Sequence, residues 1–99
     1  MIINKTQENG KVILALEGRL DTTTSPLLQE ALIPAFDEIK KVELDFTQLL
    51  YVSSAGLRVL LMGQKTAMSK KAAMTLRGVS EEIRDVFEMT GFDDMLTIV

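Results

Sequence analysis

The chain has 99 residues, 46% of them hydrophobic and 25% charged, a formal net charge of -3, and neither cysteine nor histidine. That length supplies one core and not two, so a single domain over residues 1–99 is expected. The composition removes the imidazole base, the thiolate nucleophile, the disulfide and the thiolate zinc site, and a pI near 4.9 with one tyrosine and four phenylalanines offers no basic, base-stacking surface for nucleic acid.

Serine, cysteine and metal hydrolases are thereby disfavoured, while a carboxylate or lysine mechanism stays open. The opening Met1-Ile2-Ile3-Asn4-Lys5 lacks the features of a signal peptide. No apolar run approaches about 18 residues, so a membrane span is not expected and a cytoplasmic protein is.

Met1 to Gln7 is rich in β-branched residues, and Val12-Ile13-Leu14-Ala15-Leu16 is a continuous apolar run within Lys11 to Glu17. Asn9-Gly10 between them predicts a hairpin. Gly18 to Thr24 reads as a loop, after which Ser25 suits a helix cap and Pro26 the first helical position. The helix predicted from Pro26 to Lys40 places Leu27, Leu28, Ala31, Leu32, Ala35, Phe36 and Ile39 on one apolar face, with a kink expected at Pro34.

Val42 to Phe46 reads as the next strand, followed by a loop and a helix from Ser54 to Ser69. Lys70-Lys71 makes a turn, Ala72 to Leu76 a strand, and Ser80 caps a third helix with Glu81 and Glu82 in its first turn and Gly91 as its stop. Ile83, Val86, Phe87 and Thr90 supply that helix's inward face, and Met95 to Val99 reads as a final strand. The predicted order is ββαβαβαβ, an α/β fold with a small mixed sheet, an N-terminal antiparallel hairpin and helices packed on it.

The helical spacing from Ala55 puts Leu57, Leu60, Leu61, Ala67 and Met68 toward the core. Ala55, Val59, Met62 and Thr66 fall on the opposite side. A docking surface for another protein and packing against a neighbouring helix both account for that stripe. Ser54 stands where a helix N-terminus can hold either a neutral cap or a phosphorylated serine, and Ser53 serves equally as the cap. Asp45, Asp93 and Asp94 read as turn and strand-end carboxylates, and no metal or cofactor is expected.

At these residues a resemblance enters. Asp45 to Leu57, DFTQLLYVSSAGL, resembles the signature of the STAS domain family, in particular its stand-alone bacterial anti-sigma factor antagonists. Gly18-Arg19-Leu20-Asp21 and Val86-Phe87-Glu88-Met89-Thr90-Gly91-Phe92 resemble that family's other recurring segments, so the likeness runs in order along nearly the whole chain.

The resemblance implies partner switching. The unphosphorylated antagonist binds an anti-sigma factor that is also a serine kinase with a histidine-kinase-like ATPase fold. Phosphorylation of one serine ends that binding, and a PP2C-type phosphatase restores it. The motif places this serine at Ser54, with Ser53 as the alternative acceptor, and sets Asp21, Thr22 and Thr23 on the same surface. Together with the helical stripe, the expected partner-binding residues are Asp21, Thr22, Thr23, Ser53, Ser54, Ala55, Gly56, Arg58, Val59 and Met62.

Three positions depart from the family's pattern: Ser53 stands where many members have aspartate, Ala55 where a second hydroxyl is frequent, and Arg58 where a small residue is common. A constitutive adaptor subunit of a transport or signalling assembly is the alternative on the same fold. A small enzyme or nucleotide-binding protein is a third reading, disfavoured because neither a Walker-type nor a Gly-x-Gly-x-x-Gly segment is present. A monomer is the simplest expectation.

Overall fold

In the computed structural model, which describes residues 1–99, the chain runs β1 (Ile2–Glu8), β2 (Lys11–Leu20), α1 (Ser25–Glu38), β3 (Lys41–Val52), α2 (Ser54–Ser69), β4 (Ala73–Arg77) and α3 (Glu81–Thr90). The strands form one sheet in the order β1-β2-β3-β4, with β1 antiparallel to β2 and the other pairs parallel. The predicted hairpin is present, and Asn9 and Gly10 carry φ of 50° and 76°, the left-handed pair that a two-residue turn between twisted strands requires.

Side-chain alternation sends Val12, Leu14, Leu16, Val42, Leu44, Met74 and Leu76 to the face that the helices cover. Phe36 from α1, Leu60 from α2 and Phe87 from α3 complete the core, with the Phe87 ring tilted against Phe46 at 6.5 Å between centroids. On the other face Glu43 is only 8% exposed, held by Lys11 and by Arg77 at 3.4 Å each, and Arg77 also reaches Asp45 at 3.2 Å. No helix of the chain is long and apolar enough to cross a membrane.

Both inner strands outrun their sequence signals. β2 continues through Gly18-Arg19-Leu20, and β3 continues to Val52 where a loop was expected. Two bulges explain the discrepancy: the β2–β3 register shifts between Ala15 and Glu17 and again between Gly18 and Arg19, each time with an extra residue on β3. Buried positions on β3 therefore run 44, 46, 49, 52 and leave Leu50 75% exposed, a spacing that hides the strand from a period-two reading.

The helices correct three details. α1 begins at Ser25, which is buried and donates its hydroxyl to the Asp21 carbonyl at 2.5 Å instead of capping; Thr24 holds the cap position. Leu27 is half exposed and not part of the apolar face. Pro34 lies inside α1, as expected, and on the solvent side, where water can reach the carbonyl that its missing N–H leaves free. In α2 the buried set is Gly56, Leu57, Val59, Leu60, Gly63 and Ala67, while Met68 is 68% exposed. Leu57, Leu60 and Ala67 are common to the predicted and the buried sets, and the covered face is turned by roughly 75° from the predicted one, less than one residue step.

The reason for that turn is glycine. A Cβ on Gly56 would stand 2.7 Å from Leu20 Cγ, and one on Gly63 would stand 2.6 Å from Leu32 Cδ2. These two positions, invisible to a count of apolar side chains, are where α2 presses on the end of β2 and on α1. Val59, 5% exposed, accordingly belongs to the core beside α1.

α3 matches its end signals, and Ile83 and Phe87 are buried with Val86 half-buried, but Thr90 is exposed and not part of the inward face, its hydroxyl turned back on the Val86 carbonyl. The Ser80 hydroxyl accepts from Ile83 N at 3.2 Å, Glu81 and Glu82 fill the first turn, and Gly91 closes the helix at φ 78°. The last predicted strand contracts to a single parallel bridge between Leu76 and Ile98. A 3-10 turn over Phe92–Asp94 uses up the approach, since Met95 and Leu96 both donate to the Phe92 carbonyl, and the chain meets the sheet edge only when Leu76 N donates to Thr97 O at 2.9 Å.

Candidate functional site

Two parallel strands ending side by side create the site. Leu20 pairs with Val52, and one residue later Ser53 N donates to the Leu20 carbonyl at 2.8 Å. The residues that follow, Asp21 from β2 and Ser53-Ser54 from β3, therefore emerge together at the carboxyl ends of their strands, each at the start of a helix. In parallel sheets this end is where binding sites gather.

The Asp21–Thr24 loop is rigid by virtue of one carboxylate. Asp21 Oδ1 accepts from Thr23 N at 3.0 Å and from Thr24 N and Thr24 Oγ1 at 3.1 Å each. The Asp21 N–H in turn donates to Thr24 Oγ1 at 2.9 Å. The Thr24 backbone donor chiefly, then its hydroxyl, the Thr23 N–H and the charge of Arg19, hold the Asp21 carboxyl below the usual carboxylate range. Thr22 and Thr23 are left exposed at the tip.

The two serines have separate tasks. Ser53, half-buried, is the N-cap of α2 and its hydroxyl accepts from Gly56 N at 3.3 Å. Ser54 is the first helical residue and is exposed, its hydroxyl engaged with no other group of the chain. Of the two, only Ser54 can be modified without surrendering a cap, which is worth about 1 kcal/mol. Gly56 is buried, and the close approach it permits is made by Leu20 of this same chain.

A shallow groove of about 170 Å³ runs between α1 and α2 and is lined by Thr22, Ser25, Pro26, Gln29, Ala55, Arg58, Val59 and Met62. Five of these were expected from the sequence: Thr22, Ala55, Arg58, Val59 and Met62. Val59 lies at the groove floor as a core residue, while Met62, 37% exposed, and Arg58 stand on the rim. Thr23 lies outside the groove.

Ser25, Pro26 and Gln29 are the wall that sequence reading missed. Their spacing along α1 puts them on one face, but Ser25-Pro26 reads first as a helix start, which masks its position opposite α2. A second unread pair flanks the site: Arg19 lies over the Tyr51 ring at 4.2 Å, as their pairing across β2 and β3 dictates.

A family model described as "Mlab, STAS domain" matches residues 3–98. The chain belongs to the STAS domain family. This STAS domain is 33% identical over 85 residues to BtrV of Bordetella bronchiseptica, provisionally named an anti-sigma factor antagonist, covering 85% of this chain and 73% of that protein. It is 27% identical over 95 residues to the anti-sigma-B factor antagonist of Listeria monocytogenes, covering 95% and 83%. Among solved structures it superposes on the anti-sigma factor antagonist SpoIIAA, unphosphorylated, with a TM-score of 0.78 at 16% identity over 99% of this chain and 87% of the other. The phosphorylated SpoIIAA of Bacillus gives 0.77 at 17% identity over 99% and 91%. At such identities the structural likeness speaks for the fold, and the curated relatives place this STAS domain in the group of anti-sigma factor antagonists.

Proposed function

We propose that this antagonist is a cytoplasmic partner switch governed by Ser54, a binding module without catalysis of its own. Unphosphorylated, its Asp21–Thr24 loop and the first turns of α2 dock on an anti-sigma factor that is also a serine kinase with a histidine-kinase-like ATPase fold, which frees the sigma factor. The kinase then transfers the γ-phosphoryl group of its nucleotide to Ser54. The Oγ–P bond forms as the bond from the γ-phosphorus to the bridging oxygen breaks, and the hydroxyl proton passes to a base on the kinase. A PP2C-type phosphatase resets the switch by hydrolysis.

The single observation that supports this reading is the division of labour between the serines, with Ser53 spent on the cap and Ser54 exposed beside the groove. Magnitudes support a local effect. A phosphate adds about -1.5 to -2 charges where the helix N-terminus stabilises an anion by roughly 0.3 to 2 kcal/mol, so the fold survives. At a close interface an uncompensated charge costs about 2 to 5 kcal/mol, more than a tenfold loss of affinity.

The test is intact-mass and phosphopeptide analysis of the protein from its native cells under growth and stress, with Ser54→Ala as control. Phosphate on Ser54 whose occupancy follows the condition is the expected result. Its absence under every condition, with partners still bound, would make the protein a constitutive adaptor.

A further inference from the structure

Arg58 is the only charged residue lining the α1–α2 groove. It is exposed and makes no hydrogen bond or ion pair, a state it shares with Lys41, Lys65, Lys71 and Arg84, none of which lines the groove. Nor can its own helix supply one, because α2, SAGLRVLLMGQKTAMS, contains no aspartate or glutamate. Asp21, the one carboxylate of the adjoining loop, holds Thr23 and Thr24 through its Oδ1 and makes no ion pair with Arg58. A guanidinium without a counter-ion thus stands four residues after Ser54, one helical turn further along the same exposed surface.

We propose that Arg58 is the internal counter-ion of the phosphate on Ser54, an inference that rests on the reading of Ser54 as the modified residue. Residues at i and i+4 are neighbours on a helix, and the pair is most favourable with the anion on the N-terminal side, as here. Arginine also matches phosphate geometry with two parallel N–H donors, which lysine does not. Phosphorylation then alters two positions at once. It places a bulky group on Ser54 and draws Arg58 from the groove rim toward that group, so a partner that used the free guanidinium loses it in the same event.

The experiment installs phosphoserine at position 54 during synthesis, independently of any kinase, and follows the phosphorus resonance by NMR as a function of pH. The parent sequence, Arg58→Gln and Arg58→Lys are compared in that background. The second phosphate ionisation is expected to fall roughly a few tenths of a pH unit lower with Arg58 than with glutamine. Lysine should recover part of the shift, and about 1 M salt should erase most of it.

Identical midpoints for the arginine and glutamine proteins, or a lysine midpoint no lower than that of glutamine, would overturn the pairing. The switch itself is read separately, from binding of the same phosphoprotein to its anti-sigma partner. Undiminished binding would sink the switch, and a lowered midpoint would still establish the pair.

Discussion

The Leu20 carbonyl accepts the Ser53 N–H at 2.8 Å, which fastens the tip of β2 to the cap of α2. The loop that starts at Asp21 and the helix that starts at Ser54 are consequently one joint, and the consequences of altering it can be stated residue by residue.

Ser53→Ala should destabilise the protein by about 1 kcal/mol, because the Gly56 N–H loses its acceptor. Ser54→Ala should leave stability within about 0.5 kcal/mol of the parent, since that hydroxyl bonds nothing, yet abolish phosphorylation. Urea denaturation together with a kinase assay separates the two. Equal stability losses would show that the cap is shared.

Gly56→Ala should cost about 1 to 3 kcal/mol, because the new methyl meets Leu20 at its branch carbon and lies 3.1 Å from its carbonyl oxygen. Gly63→Ala meets Leu32 Cδ2 at 2.6 Å, Met74 Sδ at 2.9 Å and Leu32 Cγ at 3.3 Å, all side-chain atoms with no backbone among them, and gains about 1 kcal/mol of helix propensity. Thermal melts should therefore rank Gly56→Ala well below Gly63→Ala. The reverse order would mean that α2 rests on α1 more rigidly than on β2.

Met62→Glu places a charge on the groove rim at a residue that is 37% exposed. Folding stability should change by less than about 0.5 kcal/mol, while affinity for the anti-sigma partner drops at least about tenfold, measured by titration calorimetry. Unchanged affinity would move the docking surface away from this groove.

Acid should weaken the fold through two carboxylates. Asp21 is depressed chiefly by the Thr24 backbone donor, and Asp45 by the Thr47 hydroxyl and N–H, then by Arg77. A carboxyl lowered in the folded state contributes stability above its unfolded value, about 3.9, and loses it as pH falls through the folded value. Unfolding free energy should thus be level near neutrality on this account and decline below about pH 4. An Asp21→Asn, Asp45→Asn double variant should decline less steeply, and an unchanged slope would clear both groups.

Much of this was legible from residue types. Asn9-Gly10 dictated its turn, Ser80 and Gly91 bounded α3, and the alternation of strand and helix gave the parallel order. What escaped was set by contacts between elements. Nothing local in Phe46 to Val52 distinguishes a bulged strand from a loop, since the extra residues are defined only against β2. The buried face of α2 was misjudged because glycines mark closeness by what they lack. Ser25 looked like a cap because its bond to the Asp21 carbonyl depends on a loop fold that Asp21 itself organises.

The bulges have a consequence for sequence change. From the Val12–Val42 pair to the Leu20–Val52 pair, β3 spends two residues more than β2. Side chains alternate faces along a strand, so removing one residue between Phe46 and Val52 would invert the parity of everything after it. Substitutions at Leu50, open to solvent, leave that parity alone, and additions at the exposed Asn9-Gly10 tip never reach it. The location of Ser54 is kept by arithmetic, and a single deletion there would mute the protein with both serines still in its sequence.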